Sequence, residues 1–322
     1  MTARSTGSSR RIQYDPHVDI DWDAPWQFDK YAMAPKSVSL YGTRRWSALT
    51  PDEQRTLTLH EAVSVWSTVA YLSAILTGNQ LRRAQEEGLN TSVAREALLE
   101  VGGGSRTTLT FGRLVRASGV PPYKPPRGTA TAVKLLHFLP LGAASHATKL
   151  LVEETFTRGF ADVVEDPDIE PHVRQSVKLH GLDWSERVRS AQAEVLAAQR
   201  SAGWISAAYN RALLAVLANV ILRITVSPAV YRSIGMSPVR GVIASRRMRR
   251  RRRAELAAPL VHFLGSAHML DGVLTTRLWK LTGVLPPALH STGELIDDGS
   301  SHRRTRRRNR FFRPRHGHTT PA

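Results

Sequence analysis

Long runs of apolar residues at helical spacing dominate this chain and exclude most sheet-based folds. The clearest run follows Thr50, a helix N-cap residue succeeded by Pro51, Asp52 and Glu53, and its apolar positions recur every three or four residues from Leu57 onward. No stretch alternates between apolar and polar residues for long enough to predict a sheet. We therefore predict an all-α fold, with four long core helices and further helices packed outside them.

Prolines, glycines and composition shifts divide the chain into segments. We predict helices over 51–86, 90–114, 129–163, 170–199 and 204–225, then shorter helices over 228–253, 254–269 and 270–283. The predicted organisation is a disordered N-terminus (1–13), an extended arm (14–50), a helical domain (51–290) and a disordered arginine-rich tail (291–322).

Cysteine is absent from all 322 residues, which excludes disulfides, thiolate nucleophiles and cysteine-ligated metal centres. The N-terminal arginines are not followed by an apolar run, so a secretory signal is not predicted. The longest apolar stretch, Ala212 to Ile221, precedes Arg223, is too short to span a bilayer and is typical of a buried helix. A cytoplasmic location is the resulting expectation.

Positive charge is concentrated in two runs rather than spread over the chain. The formal net charge is +18, but Arg246 to Arg253 holds seven arginines and Arg303 to Arg315 holds eight, with no acidic residue in either. Such runs attract nucleic acid, anionic lipid or acidic protein, although a solvated tail with weak, salt-sensitive binding remains the alternative. The residues predicted to bind a polyanion are Arg246, Arg247, Arg249, Arg250, Arg251, Arg252 and Arg253.

Four segments in order carry a family resemblance. They are Ser-Leu-Tyr-Gly-Thr-Arg-Arg-Trp at 39–46, Gly104 with Thr107, the pair Glu153-Glu154, and His-Gly-Leu-Asp-Trp-Ser-Glu-Arg at 180–187. Their order resembles the AurF-like family, the p-aminobenzoate N-oxygenase type of non-haem diiron enzyme. The resemblance implies a ferritin-like helical bundle with an extended N-terminal arm and additional C-terminal helices, two irons as cofactor, and pairing into a homodimer.

Most of the metal-ligand positions that the resemblance implies carry residues that cannot bind iron. The family pattern is Glu…Glu-x-x-His…Glu…His-x-x-x-Glu-x-x-His, and no acidic residue lies between Glu61 and Glu86, where the first glutamate belongs. Two of the seven expected ligands remain, one from the Glu153-Glu154 pair and His180. The substituted positions are Gly104 and Thr107 on the second helix, and Trp184 and Arg187 on the fourth.

The candidate residual metal ligands are Glu153, Glu154 and His180, yet His180 also suits a core histidine bonded to a carbonyl. Asp183 could join them only if the helix register shifts locally. One histidine and one carboxylate are too few to hold two irons. The substitutions predict a filled site, in which Trp184 occupies the lost volume and Arg187 pairs with Glu153 or Glu154 because a buried arginine must be paired.

Three functions follow from these patterns. The first is a divergent AurF-like protein that has lost catalysis and metal and acts as a binding or partner protein. The second is an active iron-dependent amine oxygenase with a rebuilt site using Glu153 or Glu154 and His180. The third is a basic accessory protein that engages nucleic acid or anionic membrane through its arginine runs.

Overall fold

A computed structural model of the chain describes residues 15–16, 18–125, 129, 132–133 and 136–285, and that part is all-α, as predicted. Within those residues there are nine α-helices, joined by short 3-10 turns, and no β-strand. The predicted disordered N-terminus and tail lie outside the described residues. The helices are α1 (Arg44–Ser47), α2 (Pro51–Glu86), α3 (Ser92–Ala117), α4 (Ala143–Phe160), α5 (Pro171–Gly181), α6 (Trp184–Ser201), α7 (Trp204–Ile224), α8 (Pro238–Ser266) and α9 (Val273–Thr282).

Side-chain caps fix where the long helices begin. At the start of α2 the amide of Glu53 donates to the Thr50 hydroxyl (3.3 Å), and the Thr50 amide donates to the Glu53 carboxylate (2.8 Å). Thr91 caps α3 by accepting from Ala94, and Ser237 caps α8 in the same way. The predicted start of α2 is therefore confirmed.

Three predicted helix boundaries are wrong, each for a local reason. The predicted helix over 129–163 is not continuous: residues 129 and 132–133 are helical, but α4 begins only at Ala143, after Pro140 and the positive φ of Gly142 (153°). The fourth divides into α5 and α6 after Gly181, a weak helix former. The predicted division near Arg253 does not occur, since arginines are good helix formers and α8 is continuous.

The bundle core forms where α2, α3, α4, α6, α7 and α8 meet, and the fold is of the ferritin-like type. Trp66 of α2, Phe111 of α3 and Leu150 of α4 are fully buried in it. A second apolar cluster, which includes Leu40 and Tyr231, attaches the N-terminal arm to α2 and to the 3-10 turn before α8. The arm is thus held against the bundle by its own apolar side chains.

In the part of the chain that the structure describes, two helical segments have the length and hydropathy of a membrane span, Pro51–Glu86 and Trp204–Ile234. Within the fold, 61% of the apolar window of the first and 50% of the second are buried. The first is therefore a core helix. The second packs one side into the core and exposes Trp204, Ile205 and Tyr209 on the other.

Candidate functional site

Gly104 occupies a close approach between α3 and α2. Helix α3 runs unbroken through Gly102, Gly103 and Gly104. A Cβ atom at Gly104 would overlap Oγ1 of Thr77 on α2. That hydroxyl donates to the carbonyl of Ser73 (2.8 Å), and the nearby Thr107 hydroxyl donates to the carbonyl of Gly103 (3.2 Å). A glutamate could not replace Gly104 unless Thr77 moved.

The two adjacent glutamates of α4 bind different arginines. The carboxylate of Glu153 lies 3.1 Å from Nε of Arg187, while that of Glu154 lies 2.5 Å from Nε of Arg158. Burial opposes ionisation of Glu153, but Arg187, His180 and Lys149 together hold its pKa below the ordinary value. Of the two, Glu153 is therefore the one that faces His180 and Arg187, as an ionised partner.

His180 is a buried, neutral histidine. Its Nε2 lies 3.2 Å from the Thr157 hydroxyl, its ring meets Phe111 edge-on, and Nδ1 is buried without a hydrogen-bond partner in the described part of the chain. Burial, reinforced by the Arg187 charge, lowers the pKa of His180 to about 4, against an opposing effect of Glu153. His180 thus stays uncharged at neutral pH.

Arg187 reaches back across the helix break to the end of α5. His180 is in α5 and Arg187 in α6, so the two residues do not belong to one continuous helix, as the predicted helix over 170–199 required. The guanidinium instead donates from Nη2 to the carbonyl oxygen of His180 (2.8 Å) and from Nε to Glu153 (3.1 Å). The ion pair expected from the sequence is present, and it also ties α5 to α4.

Trp184 does not fill the site, which corrects a second expectation. Its ring lies under the guanidinium of Arg158 (5.0 Å), on the side of Glu154. A cavity of about 180 Å³ remains beside Gly104, Glu153 and Arg187, and we call it the ligand-position cavity. Its lining includes Gly103, Gly104, Thr107, Glu100, Lys149, Glu153, Asp183 and Arg187.

Charged side chains in and around the ligand-position cavity balance one another. The Lys149 ammonium forms ion pairs with Glu100 and with Glu194 (3.4 Å), and Glu194 also lies 2.5 Å from Nη1 of Arg83. Burial disfavours the charged form of Glu194, but the His146 hydrogen bond, Lys149 and Arg83 hold its pKa well below the usual range. Protein cations therefore stand beside carboxylates where the resemblance implies metal.

These residues do not fit a diiron centre. The described part of the chain contains no group of three or more histidine, aspartate or glutamate side chains placed to hold a metal ion. Of the three candidate ligands, Glu153 is paired with Arg187 and Glu154 with Arg158. His180 is the one of the three with a nitrogen that has no hydrogen-bond partner among the described residues. Two irons require several carboxylates to balance their charge, and this arrangement does not supply them.

A second cavity, of about 100 Å³, lies further along α4 beside a buried carboxyl group that the sequence analysis did not select. We call it the Glu61 cavity. Glu61 accepts from the Ser39 amide (2.9 Å) and hydroxyl, and that hydroxyl is 2.8 Å from the Tyr231 hydroxyl, which donates to Ser245 (2.8 Å). Burial raises the pKa of Glu61 to about 7, although Ser39 and Arg249 oppose the rise.

Half-buried arginines of α8 form another wall of the Glu61 cavity. Arg249 donates to the carbonyl of Val226 (2.9 Å), Arg253 to the carbonyl of Arg249 (3.1 Å), and Arg252 lies 3.6 Å from Asp162. Burial and the neighbouring arginines Arg249, Arg223 and Arg250 lower the pKa of Arg253 to about 10. Three of the seven predicted polyanion-binding arginines therefore point into the fold, and Arg246, Arg247, Arg250 and Arg251 are exposed.

The Glu61 network could be anticipated only in part from the sequence. Ser39 begins the segment 39–46 that resembles the family, but nothing in the spacing of Ser39 and Tyr231 connects them to Glu61. One signal is Gly241, where a Cβ atom would overlap the buried ring of Tyr231.

A bundle of long helices in which Gly104, Thr107, Glu153 and Arg187 line one cavity is of the ferritin-like class. A model of the P-aminobenzoate N-oxygenase AurF family matches residues 1–267, which is most of the chain. The chain belongs to this family, as the resemblance of its motifs implied. A comparison with curated proteins and a comparison with solved structures gave no match.

Proposed function

We propose that this AurF-family protein has lost the diiron oxygenase activity and binds a small organic anion with an apolar body in the Glu61 cavity. The ion pair between Arg187 and Glu153 (3.1 Å) carries the first half of the proposal. A fixed guanidinium beside the retained glutamate repels a metal cation and uses the carboxylate that the metal would need. The tight approach of Gly104 to Thr77 supports the same conclusion, because a ligand side chain at position 104 would fit only if Thr77 moved.

The chemistry of the Glu61 cavity supports the second half. Its walls are largely apolar, with Val38, Val65, Phe156 and Leu222 among the lining residues. The hydrogen-bond acceptors of Arg249 and Arg253 are backbone carbonyls, and among the described residues neither guanidinium lies within ion-pair distance of a carboxylate, although Glu61 faces Arg249. Because the pKa of Glu61 is raised to about 7, its carboxyl group offsets only part of this half-buried positive charge. The remaining charge favours an anion, and the apolar walls favour a ligand with an apolar body.

Metal content tests the loss of the cluster. The full chain is expressed with added iron, and iron, manganese and zinc are measured per chain in the wild type and in His180→Ala. We expect substoichiometric metal in both proteins. A stoichiometric amount of metal that disappears in His180→Ala would show a rebuilt site and contradict the proposal.

Calorimetric titration tests the binding role. The family description suggests p-aminobenzoate as a probe, and octanoate supplies an aliphatic carboxylate of similar charge. We expect at least one of them to bind, and Arg249→Gln to weaken that binding about tenfold or more, the usual value of a charge-assisted hydrogen bond. Arg116→Gln, at an exposed position of α3, is the matched control and should bind like the wild type. Absence of binding by both probes, or equal losses in the two variants, would contradict this role.

A further inference from the structure

The arginine run of α8 divides into two sides of one helix. Arg249, Arg252 and Arg253 contact the fold, whereas the other four arginines, Arg246, Arg247, Arg250 and Arg251, are exposed to solvent. Arg251 pairs with Glu255 (2.7 Å), but no carboxylate among the described residues lies within ion-pair distance of Arg246, Arg247 or Arg250. The exposed side therefore carries positive charge that the rest of the described chain does not neutralise.

The same exposed side also carries aliphatic side chains. Val239 and Ile243 are each 69% exposed, and Val242 is 37% exposed, although all three are apolar. With 3.6 residues per turn, Val239, Ile243, Arg246, Arg247 and Arg250 lie within about 100° of the helix circumference. Apolar and cationic side chains thus share one face, which we call the outer face of α8.

We propose that the outer face of α8 binds an anionic lipid surface. The arginines would contact headgroup phosphates, and Val239 and Ile243 would enter the boundary between headgroups and acyl chains. This is the pattern of an interfacial amphipathic helix, in which buried apolar area and attraction to anionic lipid add together.

The charged and apolar side chains of this face together favour an anionic lipid surface over nucleic acid or a second copy of the chain. Nucleic acid would satisfy the arginines through its phosphates but would leave Val239 and Ile243 without an apolar partner. A second copy of the chain would bring two sets of unneutralised arginines together, which Coulomb repulsion disfavours. A lipid surface satisfies both parts of the face.

Vesicle cosedimentation of the full chain tests the proposal at physiological ionic strength. Vesicles contain phosphatidylcholine alone or phosphatidylcholine with phosphatidylserine. We expect binding to the anionic vesicles only, weakened about 30-fold in R246Q/R247Q, since each arginine at an anionic surface contributes roughly 1 kcal/mol. V239S/I243S should weaken it about tenfold through lost apolar burial. Circular dichroism and thermal melting confirm that each variant is folded.

Matched controls separate this surface from general basicity. R116Q/R200Q removes the same charge from exposed positions elsewhere, and V273S/L274S removes exposed apolar side chains from α9; both should bind vesicles like the wild type. V239S/I243S should leave binding to a DNA duplex unchanged. Wild-type vesicle binding by V239S/I243S, or a loss in R116Q/R200Q equal to that in R246Q/R247Q, would overturn the proposal.

Discussion

The two cavities along α4 differ in how their charges are balanced. In the ligand-position cavity, Glu153 has Arg187 and Glu100 has Lys149, so acids and bases compensate each other within the protein. In the Glu61 cavity, Arg249 and Arg253 bind backbone carbonyls, and the one buried carboxyl has a pKa raised to about 7. The difference supports both halves of the proposed function: loss of the metal centre at the first cavity and binding of an anion in the second.

The largest change in the free energy of unfolding is expected beside the Glu61 cavity, where Gly241 packs against the ring of Tyr231. Gly241→Ala places a methyl group in the ring of Tyr231, which is fully buried and held through its hydroxyl by Ser39 and Ser245. Because the ring cannot move without breaking those bonds, we expect a loss of about 3 kcal/mol in the free energy of unfolding. Urea denaturation measures it.

Gly112→Ala is the control for this change, because nothing lies within 4 Å of its Cβ position inside α3. That variant should be stabilised by up to about 1 kcal/mol through better helix propensity. Equal stability of the two variants would show that Tyr231 is not fixed in place.

The pH dependence of stability distinguishes the Glu61 cavity further. The folded-state pKa of Glu61, about 7, exceeds its unfolded value of about 4.5, so the folded state binds the extra proton between these values. This contribution is complete below pH 4.5 and is lost as pH rises through 7, and 1.36 kcal/mol per pKa unit sets its size at about 3 kcal/mol. Arg249, Tyr231 and Ser39 are the groups that face the carboxyl.

Urea denaturation at pH 5 and pH 8 measures this term as a difference between the wild type and Glu61→Gln. Other titrating groups act in both proteins and cancel. The wild type should lose more stability than the variant on going to pH 8. The same loss in both would mean that Glu61 titrates at its ordinary value.

Sequence reasoning succeeded where local chemistry decides the structure. The N-cap at Thr50 with Pro51 and Glu53 located the start of α2, because the hydrogen bonds involved join residues three apart. A pairing of Arg187 with Glu153 or Glu154 was also predicted, since a buried arginine must be paired, and the structure shows the pair with Glu153.

Sequence reasoning failed where distant segments decide the structure. Glu61 lies 22 residues from Ser39, and Ser39 lies 192 from Tyr231, so no spacing rule connects them. The break between α5 and α6 was missed because a single glycine lowers helix stability without fixing whether the helix ends. The inward side of the arginine run was missed because it depends on which face of α8 packs against the arm and α4.

Removal of the Arg187 charge beside the ligand-position cavity should lower the free energy of unfolding. Arg187→Met leaves Glu153 ionised and without its arginine, and it also removes the hydrogen bond to His180. Both partners are about one-fifth exposed, so water offsets part of the cost. We expect a loss of about 2 kcal/mol, less than for a fully buried pair.

A double-mutant cycle with Glu153→Gln measures the coupling in the free energy of unfolding. The double variant should be more stable than the sum of the two single losses indicates, because it leaves no unpaired charge. Strict additivity would show that the two side chains do not interact. Metal content measured on the same variants would show whether removal of Arg187 restores any affinity for iron.

The smallest change in the free energy of unfolding is expected at Gly104, which approaches Thr77 as closely as Gly241 approaches Tyr231. Gly104→Ala places its methyl group against Oγ1 of Thr77, the end of a side chain that can rotate, rather than against a fixed ring. The cost is the hydrogen bond from Thr77 to Ser73, about 1 kcal/mol, partly offset by the better helix propensity of alanine. Combining Gly104→Ala with Thr77→Ala should remove the overlap between the methyl group and Oγ1. The double variant should therefore have a free energy of unfolding at least as large as that of Thr77→Ala alone. If Gly104→Ala destabilised the chain equally with and without Thr77, the α2 and α3 backbones would be the obstacle. A glutamate at this position would then be excluded by the bundle itself.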